Sequence, residues 1–332
     1  MTLYMGLAER PQEAPTVNVN PRRMSPYKVG GRDSVVLARC SDRGRGILEA
    51  LRLLGGLKSL IRGVEGEIII KPNCNTDDPY PRDTHPDTVR AIAEALIKAG
   101  VKPRQIVVGD MSGRARGLPT RVTMENLGLK AVADELGLQL AYFEEEPWVR
   151  VKPLEAGYWP DGLVIPRRIY DAERIIFTPI LRSHTTATFT CAMKLGVGLI
   201  DARSREWLHD GEHHVGKLLD ISSAYTVDLV VADALKMNTG YGTDAVDEVS
   251  PGVIVAGGNV VACDAVAVAV MRRYGTVRVV DKPVKDHDQF RHAQRMGLGS
   301  PSLGDINLQT LDLVGDEGFR ELVSYVEAEL ED

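Results

Sequence analysis

Three segments, EIIIKPN at 67–73, HPDTVRAIAEALIKAG at 85–100 and QIVVGD at 105–110, decide the fold that the sequence predicts. The first and the third are short apolar runs of the kind that form buried strands. The middle segment carries apolar residues at helical spacing, with Thr84 as its expected N-cap and Gly100 as its stop. Strand, helix and strand in this order make a βαβ unit, so we expect a parallel sheet covered by helices.

The same alternation continues on both sides of this unit. Further strands are predicted at 33–40, 138–143, 174–180, 227–233, 252–257 and 308–313. Further helices are predicted at 45–61, 124–136, 260–275, 286–296 and 318–330. The predicted class is therefore α/β, with mainly parallel sheets, helices on both faces and two Rossmann-like halves around a cleft.

The predicted domain organisation has three parts. Residues 1–32 are rich in Pro, Asn and Arg without a sustained period, which predicts an extended N-terminal arm. Residues 33–145 are predicted to form the first α/β half. Residues 146–332 are predicted to form the second half, with a small antiparallel cap near its start and a helix at its C-terminal end.

Composition excludes several classes of partner. The chain has 332 residues, a net charge of −6 and no polybasic run, so no nucleic-acid partner is expected. It has no apolar run long enough to span a bilayer and no secretory signal pattern, so we expect no membrane partner and a cytoplasmic location. Four widely spaced cysteines without a C-x-x-C pair predict reduced thiols and no iron–sulfur cluster.

Polar residues follow several of the predicted strands. In open parallel sheets, ligands bind at the edge where the carboxyl ends of the strands meet. We therefore predict a set of site residues there: Lys71, Asn73, Thr84, His85, Asp110, Ser183, His184, Asp233, Asn259 and Asp264. Each also has a plainer interpretation, as a cap, a turn residue or a lysine that reaches solvent from a strand end.

Residues 178–214 gather four of the seven histidines, together with Lys194 and Arg203. Imidazoles and cations at this density are suited to proton transfer, anion binding or metal ligation. The predicted catalytic residues are His184 and Lys194 from this segment and His85 from the first half. Arg203 is predicted to bind ligand.

His209 is the candidate ligand of a divalent metal. The sequence HDGEH at 209–213 matches the H-x-x-E-H pattern of zinc peptidases, which needs both histidines on one unbroken helix. Its Asp-Gly turn argues against such a helix. His213 and His214 are instead interpreted as a solvated helix start.

Several stretches together resemble the domain-of-unknown-function 362 family across roughly residues 33–275. They are KPN at 71–73, THPDTVR at 84–90, VGD at 108–110, SH at 183–184, AMK at 192–194, REWLH at 205–209 and VAGGNVVACDAVA at 255–267. Many members carry an appended ferredoxin-like module, for which this sequence lacks the clustered cysteines. The resemblance implies little settled biochemistry.

A more distant resemblance is to the nickel-pincer lactate racemases. His184, Lys194 and His209 are similar in order and spacing to a histidine, a cofactor-holding lysine and a nickel-ligating histidine of that family. His85 is similar to another of its histidines. The resemblance implies a shared architecture and, as a weaker expectation, a shared cofactor.

The preferred hypothesis is an enzyme that acts on a small anionic ligand, a carboxylate or a phosphate. It would use histidine and lysine acid–base chemistry in the cleft, with or without a divalent metal. The alternative is a non-catalytic carrier or assembly factor for a metal or cofactor. A third hypothesis is that the arm at 1–32 builds a homo-oligomer. The sequence names neither the cofactor nor the substrate.

Overall fold

The computed structural model describes residues 2–10, 13–154, 157–241 and 247–331. Within these ranges the strands β1 to β16 are, in chain order, Thr16–Val17, Lys28–Val29, Arg32–Arg39, Ile68–Pro72, Ile106–Asp110, Gln139–Tyr142, Trp148–Val151, Leu163–Pro166, Arg174–Thr178, Arg182–His184, Thr188–Thr190, Leu229–Ala234, Met237–Asn238, Glu248–Val249, Val253–Gly257 and Ile306–Asp312.

The helices α1 to α13 are, in the same order, Leu3–Glu9, Arg43–Leu53, Lys58–Ile61, Pro86–Lys98, Thr120–Asn126, Leu129–Leu136, Arg167–Asp171, Ala192–Leu195, Ala202–His209, His214–Asp220, Val260–Arg273, Asp288–Arg295 and Glu317–Leu330. Short 3₁₀ helices lie at Pro103–Gln105, Phe143–Glu145, Gly196–Leu199, Ile221–Ala224 and Val284–Asp286. None of the described helices is long and apolar enough to cross a membrane.

One sheet of nine strands forms the centre of the protein, in the order β16-β3-β15-β12-β9-β4-β5-β6, with β2 paired to the start of β3. Its neighbouring strands run parallel except at β2 and at β15, which is antiparallel to both β3 and β12. The α/β class with a mostly parallel main sheet is confirmed.

Both faces of this sheet are buried under helices. Because successive side chains of a strand point to opposite sides, one strand contributes to both cores. In β4, Ile68 and Ile70 belong to the core under α2 and α4, whereas Ile69 belongs to the core on the other face. The core that contains Ile69 also contains helix α11, whose residues 261–271 are all buried. Continuously apolar strands follow from this two-sided burial.

Strands of both predicted halves lie in this one sheet: β3, β4, β5 and β6 from the first, and β9, β12, β15 and β16 from the second. The division at residue 145 and the Rossmann-like character stay predictions. A small sheet, β1-β7-β8, contains an antiparallel β7–β8 pair where the cap is predicted. A second small sheet, β11-β10-β13-β14, carries part of the site.

Two predicted helices are each divided in two by glycine. The helix predicted at 45–61 is α2 and α3, separated at Gly55 and Gly56 with φ of +114° and +73°. The helix predicted at 124–136 is α5 and α6, separated at Gly128 with φ of +77°. These left-handed conformations suit glycine and end a helix.

Three other local predictions need correction. The N-cap of α4 is His85 rather than Thr84, because His85 Nδ1 accepts from the Asp87 backbone N–H at 3.1 Å. The arm at 1–32 is extended only in part, since α1 lies within it and packs on α9. Because β15 is antiparallel, the carboxyl end of β15 and the N-cap Asn259 lie at the opposite edge of the sheet from Asp233.

Candidate functional site

The carboxyl ends of β4 and β5 place Lys71 and Asp110 side by side. The Lys71 side chain is 1% exposed, and its Nζ lies 2.8 Å from Asp110 Oδ1 and donates to the Pro72 carbonyl at 2.7 Å. Asp110 also accepts from the backbone N–H groups of Met111 at 2.7 Å and Cys74 at 2.9 Å. A buried ion pair with this many hydrogen bonds is held in one arrangement.

This pair forms part of the wall of a cavity of about 170 Å³, called here the inner cavity. Predicted site residues that line it are Lys71, Asn73, Asp110, His184, Lys194 and His209. Side chains outside the predicted set also line it, namely Tyr4, Asn75, Arg114, Arg182 and Arg205. In the described part of the wall, five cations (Lys71, Arg114, Arg182, Lys194 and Arg205) face one carboxylate, that of Asp110. Basic side chains therefore outnumber acidic ones among the described residues that line the inner cavity.

Lys194 lies on the short helix α8, whose N-terminus is held by Asp264. The fully buried Asp264 carboxylate accepts from the backbone N–H groups of Ala192 at 2.8 Å and Met193 at 2.9 Å. Asp264 therefore positions α8 rather than contacting a ligand itself. Burial, and then the positive charges of Arg182 and its cationic neighbours, lower the pKa of Lys194 to about 7.

His184 ends β10 and is fixed by its own loop. Its Nδ1 accepts from the backbone N–H groups of Thr186 at 3.1 Å and Ala187 at 3.0 Å. Neutral His184 must then carry its proton on Nε2. Burial, and secondly the charge of Lys194, hold the pKa of His184 far below its usual value, so the ring stays neutral.

His209 is the last residue of α9, and its ring packs against that of His214, with centroids 5.2 Å apart. Burial and then Lys194 lower the pKa of His209 to about 4. His214 Nδ1 lies 3.0 Å from the Leu208 carbonyl, so Nδ1 donates and Nε2 keeps a lone pair. That Nε2 is buried, with no hydrogen-bond partner among the described residues.

α9 ends at His209 and α10 begins at His214, so the 209–213 segment does not form one helix. The prediction against a zinc-peptidase site is supported by this break. The prediction of a helix start at His214 is confirmed, but His214 is only 7% exposed and is not solvated. Its ring stacks at 6.4 Å from that of His184, so it belongs beside the inner cavity.

Three missed residues differ in how far the sequence could have shown them. Arg182 precedes His184 by two positions in β10, and alternation along a strand puts both on one face. Arg205 begins the REWLH stretch of the family resemblance, but only the structure shows that it is 4% exposed and donates to three backbone carbonyls. Tyr4 comes from the N-terminal helix, where its hydroxyl donates to Glu206 at 3.0 Å, which only the tertiary structure reveals.

Gly198 allows the backbone to approach the Lys71–Asp110 pair. A Cβ atom at this position would lie 2.2 Å from Asp110 Oδ1 and 2.5 Å from Lys71 Nζ. These distances are shorter than any real contact of a Cβ, so a larger residue requires a shift of the pair or of the backbone. Gly198 therefore lets the backbone of the cavity wall pack directly against the Lys71–Asp110 pair.

His85 lies in a different depression at the same edge of the sheet, called here the His85 pocket, of about 680 Å³. Behind it, buried Asp233 accepts from Arg43 Nε at 2.5 Å, Tyr80 Oη at 2.8 Å and Thr88 Oγ1 at 2.7 Å. Burial and then Arg43 lower the pKa of His85. The structure therefore does not bring His85 and Asp233 together with the other two predicted catalytic residues.

Thr84 and Asn73 connect the strand ends to their loops. Thr84 Oγ1 donates to the Thr178 carbonyl at 2.7 Å and accepts from the Asn73 N–H at 2.8 Å. Asn73 Nδ2 donates to Asp83 Oδ1 at 2.8 Å. Thr84 lines the His85 pocket, whereas Asn73 lines the inner cavity.

The remaining predicted residues lie away from the inner cavity. The buried Ser183 hydroxyl donates to the Gly240 carbonyl. Arg203 is exposed and lines a shallow depression that His209 shares with the inner cavity. Asn259 caps α11 through two backbone N–H groups at 2.9 and 3.0 Å. For Asn259 the plainer interpretation as a helix cap is the one that the contacts support.

A metal centre made by the protein alone needs several histidine, cysteine or acidic side chains close together. In residues 2–331, apart from the gaps at 11–12, 155–156 and 242–246, no three histidine, cysteine or acidic side chains are grouped to hold an ion. The described side chains therefore do not make a protein-only metal site. His209 as a metal ligand stays a prediction.

Comparison with known proteins gives three similarities. A family model described as Domain of unknown function (DUF362) matches residues 68–269, more than half of the chain, which confirms the resemblance. A thylakoid-associated protein of Synechocystis sp. is 26% identical over 253 residues, covering 72% of this chain and 74% of that protein. The predicted cytoplasmic location is not established by this relative.

The lactate racemase apoprotein from Thermoanaerobacterium thermosaccharolyticum has a similar structure, with a TM-score of 0.39 and 14% identity. The similarity covers 67% of this chain, and the chain spans only 54% of that structure. At this TM-score the likeness says nothing about the site.

Proposed function

The chain belongs to the family described as Domain of unknown function (DUF362), and we propose that it is an enzyme that binds a small anionic molecule in the inner cavity and moves a proton on it. The ligand is a carboxylate or a phosphate. The observation that carries the proposal is the excess of basic over acidic side chains in the wall of a small cavity.

The charge argument depends on which cations already have partners. Lys71 is neutralised by Asp110, and Arg114 is paired with Glu206 at 3.0 Å. Arg205 donates to carbonyl groups, which do not cancel its charge. An anion that entered the inner cavity would meet the Arg205 guanidinium and the Lys194 nitrogen, neither of which has a carboxylate in ion-pair range among the described residues. Binding of the anion would offset the cost of burying positive charge there.

The size of the inner cavity favours a small ligand. Sites for drug-sized molecules occupy roughly 300–1,000 Å³, whereas the inner cavity has about 170 Å³. A compact di- or monocarboxylate or a phosphate is the class of molecule that matches both the volume and the charge.

Two neighbouring groups supply the proposed chemistry. His184 presents the N–H of Nε2 and can donate a hydrogen bond to the anion without changing its protonation state. Lys194, with a pKa of about 7, is present both as amine and as ammonium near neutral pH. A group divided between both forms is suited to general acid–base catalysis.

The first experiment measures binding by isothermal titration calorimetry with malonate and with inorganic phosphate. Lys194→Met should weaken binding by about 10- to 100-fold, the effect expected from loss of one charged hydrogen bond. Lys58→Met is the matched control, because it removes the same charge from an exposed position on helix α3. Equal affinities of both variants and the unaltered protein would contradict the proposal.

The second experiment tests whether the protein catalyses proton exchange on a bound carboxylate. Carboxylates that bind are incubated with the protein in D₂O, and ¹H NMR follows the hydrogen on the carbon next to the carboxylate. An acid–base enzyme should exchange this hydrogen for deuterium, and Lys194→Met should abolish the exchange. Tight binding without any exchange in the panel would favour the non-catalytic carrier instead.

A further inference from the structure

The two lysines of the inner cavity differ in what surrounds their nitrogen atoms. Lys71 Nζ lies 2.8 Å from the Asp110 carboxylate and donates to the Pro72 carbonyl at 2.7 Å, so its N–H groups are engaged in an ion pair and a hydrogen bond. Within the described part of the chain, Lys194 Nζ has neither a hydrogen bond nor a carboxylate in ion-pair range. The nitrogen lone pair needed for covalent chemistry is therefore available only on Lys194.

The surroundings of Lys194 favour the amine. The charged neighbours that act on it are the cations of Arg182, Arg205 and Lys71, and each disfavours a further positive charge. The two backbone hydrogen bonds to Asp264 fix the start of α8. An amine that is desolvated among cations and carried on a fixed backbone is the usual arrangement of a nucleophilic lysine.

We propose that Lys194 is a nucleophile that forms an imine with the carbonyl carbon of a small 2-oxo carboxylic acid. The proposal rests on the proposed function, in which the inner cavity binds a small anion, and names the class of that anion. The cationic wall would hold the carboxylate, since Arg205 uses three of its five N–H groups on carbonyls and has two left. The adjacent carbonyl carbon would then lie next to an unpaired amine.

The reaction needs no oxidant and no further reactant. The Nζ lone pair attacks the carbonyl carbon, and the electrons of the C=O bond move to oxygen, which His184 Nε2–H stabilises by a hydrogen bond. The two protons of the amine leave with that oxygen as water, which gives an imine. The imine withdraws electrons from the neighbouring carbon, so a proton on that carbon becomes easier to remove.

Borohydride trapping tests the imine directly. The full chain is incubated with glyoxylate or pyruvate near pH 7, reduced with sodium cyanoborohydride, digested and analysed by mass spectrometry. At this pH about half of an amine with a pKa near 7 is unprotonated, against roughly one part in 2,500 for an ordinary lysine. The adduct on Lys194 should therefore exceed that on exposed Lys58 by on the order of a hundredfold or more.

The controls separate the two proposals. Acetone, which has a carbonyl but no carboxylate, should label Lys194 at least tenfold less, and malonate should compete with glyoxylate. Lys194→Met, which removes the amine without adding charge, should remove the adduct while the thermal unfolding midpoint stays within a few degrees. If glyoxylate binds but Lys194 is labelled no more than Lys58 or Lys71, the imine is overturned and anion binding survives. If neither malonate, phosphate nor glyoxylate binds, the proposed function itself fails.

Discussion

The inner cavity and the His85 pocket lie at the same edge of one sheet, yet they differ in charge balance. In the His85 pocket the guanidinium of Arg43 is met by the buried carboxylate of Asp233, which Tyr80 and Thr88 also satisfy. In the inner cavity one carboxylate faces five cations. The pocket with the larger volume is the one with the completed ionic network. The difference suggests that the excess of basic side chains in the wall, rather than volume, distinguishes the candidate site for an anion.

The largest effects are expected when the carboxylate of each pocket, Asp110 or Asp233, is replaced by an amide. Asp110→Asn leaves buried Lys71 without an ionic partner and should lower the free energy of unfolding by about 3–5 kcal/mol. It should also tighten malonate binding, because a ligand can then pair with Lys71. Asp233→Asn should destabilise the protein as well, but should leave malonate affinity within about twofold. Urea unfolding and calorimetry measure the two effects.

Malonate binding that weakens in Asp110→Asn, or that tightens equally in both variants, would remove the distinction between the pockets.

A pair of glycine substitutions tests the geometry of the wall. Gly198→Ala should cost about 1–3 kcal/mol of unfolding free energy, because its Cβ would overlap the Lys71–Asp110 pair. It should also lower malonate affinity. Gly44→Ala is the control, since its Cβ meets only Asp42 Oδ1 at 3.6 Å within helix α2. That change should stabilise by about 0.5–1 kcal/mol. The opposite order of stabilities would show that the wall is not packed as described.

The pH dependence of malonate binding sharpens the comparison further. Affinity should fall by up to about tenfold per pH unit as pH rises through about 7, because Lys194 loses its proton there. The free energy of unfolding should change in the other direction. The unfolded lysine keeps its proton up to about pH 10.4, so the unfolded state holds more protons above pH 7, and stability rises with pH across that window. Lys194→Met should remove both trends.

The smallest expected effect concerns the residue behind Lys194. Burial raises the pKa of Asp264 to about 7, above the unfolded value of about 3.9. The folded state therefore holds the extra proton between these values, and stability contributed by Asp264 falls as pH rises from about 4 to about 7. Asp264→Asn should flatten this slope in urea unfolding midpoints measured across that range. An unchanged slope would assign the pH dependence to another group.

The alternation of strands and helices could be predicted from the sequence, because the spacing of apolar residues and the capping or glycine residues of each segment are local features. The direction of β15 was not, because no residue of VIVAG states whether the strand runs with or against its neighbours. Asn259 was placed at the wrong edge for this reason. Strand order is equally hidden, so His85 was grouped with residues of another pocket at the same edge.

Part of the candidate site could be predicted because its residues follow strands directly. Lys71, Asp110 and His184 are at or next to strand ends, and they do line one cavity. Tyr4 reaches it from a helix far away in sequence, through packing that no local pattern encodes. The unpaired state of Lys194 is a property of its neighbours in space, so only the structure could distinguish it from Lys71.

The place of β3 in the sheet has a consequence for synthesis on the ribosome. β3 is made early, at Arg32–Arg39, but its full-length neighbours are β15 at Val253–Gly257 and β16 at Ile306–Asp312. Apart from the short pairing with β2, both of its edges lack partners until more than two hundred further residues have been translated. Nascent chains should therefore expose an apolar strand for most of elongation, which makes protection by a chaperone and slow, late closure of the sheet the expected course of folding.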